Sequence, residues 1–468
     1  MTGAISVFLK GTGVFFLIYL LLYATYLFAS VTVGAYNLYK RDRMRKVKNE
    51  LKHEYYFPVS ILVPAYNEEV TILDSVESLL SLDYRLYEVI VVDDGSRDRT
   101  SELMVEHFRM HEVTRPIRMS IPCQKVKAVY EARVGRVRLT LVTKENGGKG
   151  DALNMGINAS RYPYFLCIDA DSMLQRDSLE RIVQPVLERD DVVAVGGLIR
   201  VAQCVGMQDG QVTSYHLPWN LLTSMQVMEY DRSFLASRIL LNCFNGNLII
   251  SGAFGLFKKD VVIAAGGYDA HTLGEDMELV VKLHTFCRNN MRSYSILYEP
   301  NAVCWSQAPA SLGDLRRQRR RWHLGLFQSM VKYRQIFMNP RFGLVGSLSY
   351  LYYLLYELFS PQIELFGLCT IALAAAIGQL NVVFMLRFYL LYAVYGAILT
   401  MTAFFQRIYT QNLHISRTDI VKACLMCLME NLFFRFFLDF ARATAFIGYK
   451  KRKDQWGQIK RFRHSEIR

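Results

Sequence analysis

Long apolar runs at both ends of this 468-residue chain enclose a segment in which apolar and polar positions alternate. At the N-terminal end, no charged residue occurs between Lys10 and Lys40. A helix crosses a bilayer with about 20 apolar residues, whereas the apolar core of a signal peptide has about 7–15. We therefore predict one transmembrane helix from about Val14 to Tyr36, within an N-terminal unit of residues 1–56 that ends in a basic linker.

Residues 57–306 carry short β-branched runs separated by amphipathic stretches. The predicted strands are Val59–Val63, Val89–Asp93, Leu139–Thr143 and Tyr164–Ile168. The predicted helices between them are Glu68–Leu82, Asp98–His107 and Gly150–Ser160. This alternation predicts a parallel sheet with helices on both faces, in which ligands bind beyond the carboxyl ends of the strands. The basic segment Thr114–Arg138 interrupts the alternation, and no role is assigned to it.

A second membrane unit is predicted after this α/β domain. Residues 307–340 are amphipathic and basic, which is typical of a helix that lies on a membrane surface. Residues 341–449 contain four apolar stretches, at about 342–359, 363–378, 382–405 and 420–447. Four crossings would return the basic tail, residues 450–468, to the side on which the first helix ends. Because the last stretch carries charges, we expect part of it at the interface and about four to six membrane helices in total.

The net charge of +13 is concentrated next to the apolar segments. The basic runs comprise Lys40, Arg41, Arg43, Arg45, Lys46 and Lys48, and then Lys450, Lys451, Arg452, Lys453, Lys460, Arg461 and Arg463. This placement is the positive bias of cytoplasmic segments and not the basic face of a nucleic-acid-binding protein. We therefore expect a multi-pass protein of the cell membrane, with the lipid bilayer as a partner, a cytoplasmic α/β domain and no nucleic-acid partner. The nine scattered cysteines form no disulfide framework, which fits a reducing cytoplasm.

Acidic residues follow two of the predicted strands. Val92–Ser96 contains two aspartates that could accept hydrogen bonds from a base and a ribose, although an Asp-Gly turn is also a common way to end a strand. Asp169 and Asp171 follow a buried run and are one residue apart, so on an extended chain both carboxylates would point the same way. Such a pair can hold a hard divalent ion that bridges a diphosphate. The alternative is a solvated loop.

Two further motifs lie at predicted helix starts. Asn146–Asp151 has glycines that allow the backbone to approach a phosphate closely, and Lys149 adds positive charge; a plain helix cap is the alternative. Gly274–Asp276 precedes the amphipathic stretch Met277–Phe286. An acid there could stabilise the helix dipole, or it could act as a general base for an acceptor hydroxyl.

The amphipathic segment carries the run Gln318–Trp322. Arginine suits bidentate phosphate binding, and tryptophan offers a flat face on which a sugar ring can stack. A basic stripe on the membrane surface is the alternative for Arg316, Arg317, Arg319 and Arg320, and fits Gln318, Arg321 and Trp322 less well.

Ionisable residues within the apolar stretches either line a path for a polymer or pair with one another. These are Glu357, Glu364, Arg387, Glu430, Arg435 and Asp439.

Five elements occur in one order: Pro-Ala-Tyr-Asn-Glu at Pro64–Glu68, Val-Asp-Asp-Gly-Ser, Asp-Ala-Asp, Gly-Glu-Asp and Gln-x-x-Arg-Trp. This ordered set resembles the inverting family-2 glycosyltransferases, in particular the processive membrane-bound synthases of cellulose, chitin, hyaluronan, poly-N-acetylglucosamine and bacterial β-glucan. The resemblance implies a Rossmann-like GT-A domain inserted between an N-terminal transmembrane helix and a C-terminal transmembrane bundle with amphipathic interface helices. It also implies a UDP-sugar donor and a growing polysaccharide as acceptor.

The resemblance implies roles for individual residues. Those matching donor-binding positions are Tyr66, Glu68 and Asp94 for the nucleoside, and Lys149, Asp169, Gln318, Arg321 and Trp322 around the diphosphate. Asp169 and Asp171 match the pair that binds Mg²⁺ or Mn²⁺. Asp276, with Glu275 beside it, matches the catalytic base. The acceptor positions are Ser251 and Gly252, within Ile249–Phe254, and again Trp322.

Departures from the pattern narrow the resemblance. Cellulose synthases usually have Thr before Glu-Asp, where this chain has Gly274, and hyaluronan synthases usually have Gly-Asp-Asp-Arg, which is absent. The single N-terminal helix and Ser251–Phe254 favour a poly-N-acetylglucosamine or β-glucan synthase, hence glucose or N-acetylglucosamine as the sugar. One alternative is a non-processive enzyme that adds a single sugar to a lipid carrier. Another is a receptor or transporter that binds sugar nucleotides without transfer.

Overall fold

The computed structural model describes residues 2–48, 56–208, 210–290, 293–410, 413–447 and 449. The predicted basic tail, residues 450–468, and most of the linker before residue 56 lie outside the described residues. The strands are β1 Val59–Ala65, β2 Tyr87–Asp93, β3 His111–Glu112, β4 Val126–Val134, β5 Val137–Lys144, β6 Tyr164–Cys167, β7 Met173–Leu174, β8 Val192–Val201, β9 Val205–Gln208, β10 Gln211–Tyr215, β11 Gly255–Lys258 and β12 Ser295–Ser306.

The helices of the described chain fall into a domain set and a membrane-type set. The first set comprises α2 Ile72–Leu80, α3 Thr100–His107, α4 Lys149–Ala159, α5 Ser178–Glu188, α6 Leu221–Arg232, α7 Arg238–Asn242, α8 Lys259–Ala264, α9 Glu275–Asn289 and α10 Leu312–Lys332. The second comprises α1 Thr2–Lys48, α11 Tyr350–Tyr352, α12 Ser360–Ala376, α13 Val382–Thr410, α14 Arg417–Met429 and α15 Arg435–Ala443. Wider π-helical turns occupy Ser233–Ser237, Val345–Ser349, Tyr353–Leu358 and Glu430–Phe434.

The central sheet has the strand order β3-β4-β5-β2-β1-β6-β11-β8-β12-β7. All four predicted strands are present, and they form its parallel part in the order β5-β2-β1-β6. Side chains alternate between the two faces: along β1, Ile61 and Val63 belong to a hydrophobic cluster that includes residues of α2, α3, α5 and α6, whereas Leu62 belongs to one that includes residues of α4, α8 and α9. The carboxyl ends of the four parallel strands therefore share one edge.

The predicted parallel sheet is confirmed for these four strands, but the sheet as a whole is mixed. Strand β11 runs antiparallel between β6 and β8. The basic segment Thr114–Arg138 contains β4, which forms an antiparallel hairpin with β5 through Gly135 at φ +58°. A short turn can join only antiparallel strands, so a glycine between two β-branched runs was the signal for this hairpin.

Two described helices are long and apolar enough to cross a membrane, namely Ala4–Arg41 of α1 and Val382–Tyr409 of α13. The first contains the predicted span Val14–Tyr36. The stretches 342–359 and 363–378 form a pair of helices bent by 51°, which could count as one broken span. The described residues thus give two or three candidate spans, fewer than the four to six predicted.

The last apolar stretch, 420–447, is not a candidate span, because it is divided by a π-turn and its charges face inward. Glu430 accepts a bidentate pair of hydrogen bonds from Arg232 of α6, at 2.6 and 2.7 Å. Arg435 pairs with Glu364 of α12 at 2.5 Å. Glu364 and Arg435 therefore pair with each other, which is the second of the two alternatives, whereas Glu430 pairs with an arginine outside the apolar stretches.

Helices α9 and α10 touch through two glycines. A Cβ atom on Gly325 would lie 2.7 Å from both Cα and N of Gly274, and one on Gly274 would lie 2.9 Å from Cα of Gly325. Real Cβ atoms do not approach backbone so closely. The absence of side chains at both positions therefore sets the separation of the two helices.

We predict that Gly325→Ala destabilises the protein by about 1–3 kcal/mol, because the new methyl group must push α10 away from the backbone of α9. The measurement is the thermal unfolding midpoint in detergent. Gly313→Ala on the same helix is the matched control, since its nearest neighbour would be Ser311 Oγ at 4.0 Å. Equal midpoints for the two variants would contradict the assignment.

Candidate active site

The predicted site residues collect at the edge where β1, β2, β5 and β6 end. Tyr66 and Glu68 follow β1, and the loops after β1 and β2 are joined by hydrogen bonds such as Glu68 N–H to Thr100 Oγ1 at 2.9 Å. Tyr66 is 39% exposed, which leaves its ring accessible to a ligand. The residues after β1 and β2 therefore lie side by side at this edge, and their binding of a ligand stays a prediction.

Asp94, which follows β2, is buried and bound to the glycine loop after β5. Its Oδ2 accepts from Gly148 N–H at 2.7 Å, and its Oδ1 accepts from Gly147 N–H at 3.0 Å and from Lys144 Nζ. Burial raises the pKa of Asp94 above its ordinary value, and these donors lower it again in part. Asp94 therefore shapes the glycine loop, while its predicted contact with a nucleoside stays a prediction.

Lys144 is a residue that the sequence patterns did not single out. Its side chain is fully buried at the end of β5, and Nζ lies 2.6 Å from Asp151 Oδ1 as well as on Asp94. One cation thus holds two buried carboxylates below the glycine loop. The available signal was a lysine directly after the predicted strand Leu139–Thr143, where a buried charge is costly unless it is paired.

The glycine loop leads into α4, whose first residue is Lys149. Lys149 Nζ lies 2.5 Å from Asp169 Oδ1 and 3.4 Å from Glu275 Oε1. Burial by itself would lower the pKa of Lys149, but the two carboxylates raise it above its ordinary value. Burial also raises the pKa of Glu275, although Lys149 acts in the opposite direction. The lysine is thus a fixed positive charge at the centre of an acidic cluster.

Asp169 and Asp171 lie in a turn after β6, closed by Ser172 N–H to Asp169 O at 3.0 Å, and not on an extended chain as predicted. Asp169 is 30% exposed, whereas Asp171 is 3% exposed. No group of three or more His, Cys, Asp or Glu in the described residues could hold a metal alone. Two carboxylates nevertheless fit Mg²⁺ or Mn²⁺, because such sites take further oxygens from substrate phosphates and water.

Asp276 lies in the first turn of α9 and faces the turn before β11. Its Oδ2 accepts from Gly252 N–H at 3.1 Å, and its Oδ1 accepts from Met277 N–H at 2.8 Å. A Cβ atom on Gly252 would lie 3.1 Å from Lys149 Nζ. The structure therefore brings Asp276, the Ser251–Gly252 turn and the cluster around Lys149 together.

Helix α10 carries Gln318, Arg321 and Trp322 along the side of this cluster. The charge of Arg321 acts on both Lys149 and Glu275, so its side chain lies near them. Gln318 is buried, and its Oε1 has no hydrogen-bond partner among the described residues. Trp322 is 41% exposed.

The interpretation of Arg319 as part of a basic stripe on the membrane surface is wrong. Arg319 is 3% exposed and forms a bidentate pair with Glu229 of α6, whereas Arg316 and Arg317 are exposed. Arg320 contacts the carbonyl of Ile447. Sequence periodicity could not foresee this, because Glu229 lies 90 residues away.

Chemically, the site offers three functions in one place. An acid at a helix start could accept a proton, two further acids could hold a divalent ion, and Lys149 with Arg321 supplies positive charge for an anionic leaving group. An exposed tryptophan lies on the adjoining helix.

Comparison with known families gives two matches. A family model described as "Glycosyl transferase family 2" matches residues 60–263. A second, described as "Glycosyl transferase family group 2", matches residues 164–425, which is more than half of the chain. The two matches together extend from β1 into the candidate membrane helices.

Similar proteins include two described as poly-beta-1,6-N-acetyl-D-glucosamine synthase. That of Staphylococcus epidermidis is 29% identical over 294 residues, covering 62% of this chain and 59% of the relative. That of Staphylococcus aureus (strain COL) is 28% identical over 320 residues, covering 67% of this chain and 66% of the relative. The chain thus spans about three fifths to two thirds of the length of these relatives.

Among solved structures, the mannosyltransferase PcManGT from Pyrobaculum calidifontis, in complex with GDP-Man and Mn²⁺, is similar with a TM-score of 0.51. It is 20% identical, and the match covers 89% of this chain and 99% of that chain. At this identity the likeness concerns the fold alone, and it agrees with a GT-A fold with a Rossmann-like mixed sheet.

We predict that Lys144→Met destabilises the protein by about 3–5 kcal/mol, because it leaves two buried carboxylates without their cation. The thermal unfolding midpoint in detergent measures this effect. Lys127→Met, on the exposed part of β4, is the matched control. Adding Asp151→Asn to the variant should restore part of the loss, and a midpoint equal to that of Lys127→Met would refute the role of Lys144.

Proposed function

Because the chain belongs to the glycosyl transferase family group 2, we propose that it is a membrane-bound, inverting and processive polysaccharide synthase. It would polymerise a UDP-activated hexose, glucose or N-acetylglucosamine, into a β-linked chain. The observation that carries the proposal is the contact of Asp276 with the Ser251–Gly252 turn, beside Lys149 and next to the helix of Gln318–Trp322. The relatives described as poly-N-acetylglucosamine synthases favour N-acetylglucosamine.

In the proposed reaction, Asp276 takes the proton from the acceptor hydroxyl. The freed oxygen attacks the anomeric carbon as the bond from that carbon to the UDP oxygen breaks, which inverts the configuration. Lys149 and Arg321 stabilise the negative charge that develops on the leaving diphosphate. Tyr66, Glu68 and Asp94 would bind the nucleoside.

Asp169 and Asp171 would hold Mg²⁺ or Mn²⁺. When bound, the ion would supply positive charge to the diphosphate oxygens. The complex of PcManGT with GDP-Man and Mn²⁺ supports the use of a divalent ion in this fold. In the structure Lys149 pairs with Asp169. Binding of the donor would draw Lys149 toward the phosphates, and the Asp169 oxygen that it leaves would then be available to the metal ion.

The candidate spans would anchor the enzyme in the cell membrane with the GT-A domain on the cytoplasmic side. In this arrangement residues 57–306 form the catalytic domain, 307–340 an interface segment with the Gln-x-x-Arg-Trp motif, and 341–449 the membrane region. Arg41, the last residue of the candidate span Ala4–Arg41, contacts Glu299 of β12, which supports a fixed position of the anchor against the domain. The membrane region would translocate the growing polymer.

Transfer of a single sugar to a lipid carrier is the second candidate. It would use the same acids and the same donor. The Gln-x-x-Arg-Trp helix and the long membrane region favour the synthase. The product separates them, since a synthase makes a high-mass polymer and the alternative makes one lipid-linked sugar.

The experiment that tests the proposal incubates the purified protein in detergent with UDP-glucose, UDP-N-acetylglucosamine or UDP-glucuronate. We expect UDP release and a β-linked polymer with UDP-glucose or UDP-N-acetylglucosamine, and the highest yield with UDP-N-acetylglucosamine. Linkage analysis of the product identifies the bond between the sugars. A chelator should abolish transfer, and added Mg²⁺ or Mn²⁺ should restore it. Donor binding without transfer under all conditions would refute the proposal.

We predict that Asp276→Asn lowers turnover by about 10²–10⁴-fold, because the amide cannot accept the proton. The dissociation constant for UDP should change little. Asp260→Asn is the matched control, because Asp260 also lies in a first helical turn and also accepts from the next backbone N–H, at 2.8 Å. Near-normal turnover of Asp276→Asn would exclude this residue as the base.

A further inference from the structure

We propose that Glu229 is a positioning residue for the acceptor, acting through Arg319 on the ring of Trp322. The inference rests on the proposed function, since it assumes that Trp322 meets the acceptor end of the polymer. Glu229 lies outside the sequence motifs that carry the family resemblance, and Arg319 occupies one of the two unspecified positions of Gln-x-x-Arg-Trp.

The contact between Glu229 and Arg319 is geometrically specific. Arg319 Nη1 and Nη2 donate to the two carboxylate oxygens of Glu229 at 2.6 and 2.7 Å. Because both ends are planar forks, this bidentate pairing fixes the plane of the guanidinium as well as its position. Arg319 is 3% exposed, so the pairing is also required to keep its charge buried.

The fixed guanidinium lies against the ring of Trp322. Arg319 Cζ is 4.6 Å from the ring centroid, within the range of a cation–π interaction. The ring of Tyr230, the residue after Glu229, lies 6.5 Å from Trp322 with an interplanar angle of 36°. Two consecutive residues of α6 thus restrict the Trp322 ring, which keeps 41% of its surface exposed for a sugar.

Helix α6 is itself anchored to the membrane helices. Asp231 accepts from Arg407 of α13 at 2.7 Å, and Arg232 pairs with Glu430 and donates to Thr400 of α13 at 2.9 Å. The next residues form the π-turn Ser233–Ser237. The orientation of Trp322 therefore depends on contacts that reach a candidate membrane span.

The test replaces the buried pair by apolar side chains of similar size, in the double variant Glu229→Leu with Arg319→Met. Such a replacement often preserves stability, whereas a single replacement leaves a charge unpaired. Arg442, whose Nη2 lies 3.8 Å from Glu229 Oε1, keeps Glu357 and Asp439 as acidic neighbours in the double variant. Arg317→Gln is the control, because Arg317 is exposed on the same helix and pairs with Asp314. UDP affinity, UDP release, polymer yield, polymer length and the unfolding midpoint are measured for each protein.

We expect the double variant to bind UDP like the wild type but to incorporate about tenfold less sugar per UDP released, in shorter chains. Mispositioned acceptor ends would leave water to attack the donor, which yields UDP and free sugar. Arg317→Gln should behave like the wild type.

Wild-type yield and chain length in the double variant would overturn the inference. Parallel loss of UDP affinity and thermal stability would also overturn it, since the pair would then be only structural. A wild-type protein that makes no polymer would refute the proposed function instead, so the two failures are distinguishable.

Discussion

Helices α9 and α10 approach one another so closely at Gly274 and Gly325 that neither position has room for a Cβ atom. This contact determines where the acid of one helix lies relative to the tryptophan of the other. Around it, Gln328 Oε1 accepts hydrogen bonds from Thr272 Oγ1 at 3.0 Å and from the backbone N–H of Leu273 at 2.9 Å. Lys332 forms ion pairs with Asp269 and Glu278. The glycine before Glu-Asp, a departure from the cellulose synthases, therefore has a steric reason.

Buried cations organise the other side of the site. Lys144 holds Asp94 and Asp151 below the glycine loop, and Lys149 lies between Asp169 and Glu275 above it. Each lysine compensates carboxylates that would otherwise be costly to bury. A glycine loop held in this way fixes where α4 begins, and therefore where Lys149 enters the acidic cluster.

The α/β domain and the membrane helices are joined by charges as much as by apolar contact. Helix α6 packs against α13 and α14, and its last four residues reach α10, α13 and Glu430. Four ionisable residues of the apolar stretches thus have partners on α6 or on one another, namely Glu364, Glu430, Arg435 and Asp439. The ring of Trp322 on α10 and the position of α13 and α14 are consequently linked through one short segment.

The sequence by itself determined the strands β1, β2, β5 and β6, the edge at which their polar residues meet, and the long apolar helices α1 and α13. These follow from local rules, because side-chain periodicity and chain length decide which face of a strand or helix is buried. The ordered motifs also predicted the family. The bend between the helices of residues 345–376 and the reduced number of candidate spans did not follow from hydropathy, which does not register how neighbouring helices pack.

The tertiary structure alone decided the antiparallel placement of β11, the turn that separates the environments of Asp169 and Asp171, and the burial of Arg319. It also decided that Lys144 belongs to the site. Except for that turn, which a local hydrogen bond closes, the deciding partner is distant in sequence: Asp94 lies 50 residues from Lys144, and Glu229 lies 90 residues from Arg319. Long-range ion pairs and glycine contacts leave no period in the sequence, since they depend on where the folded sheet and its helices bring two positions together.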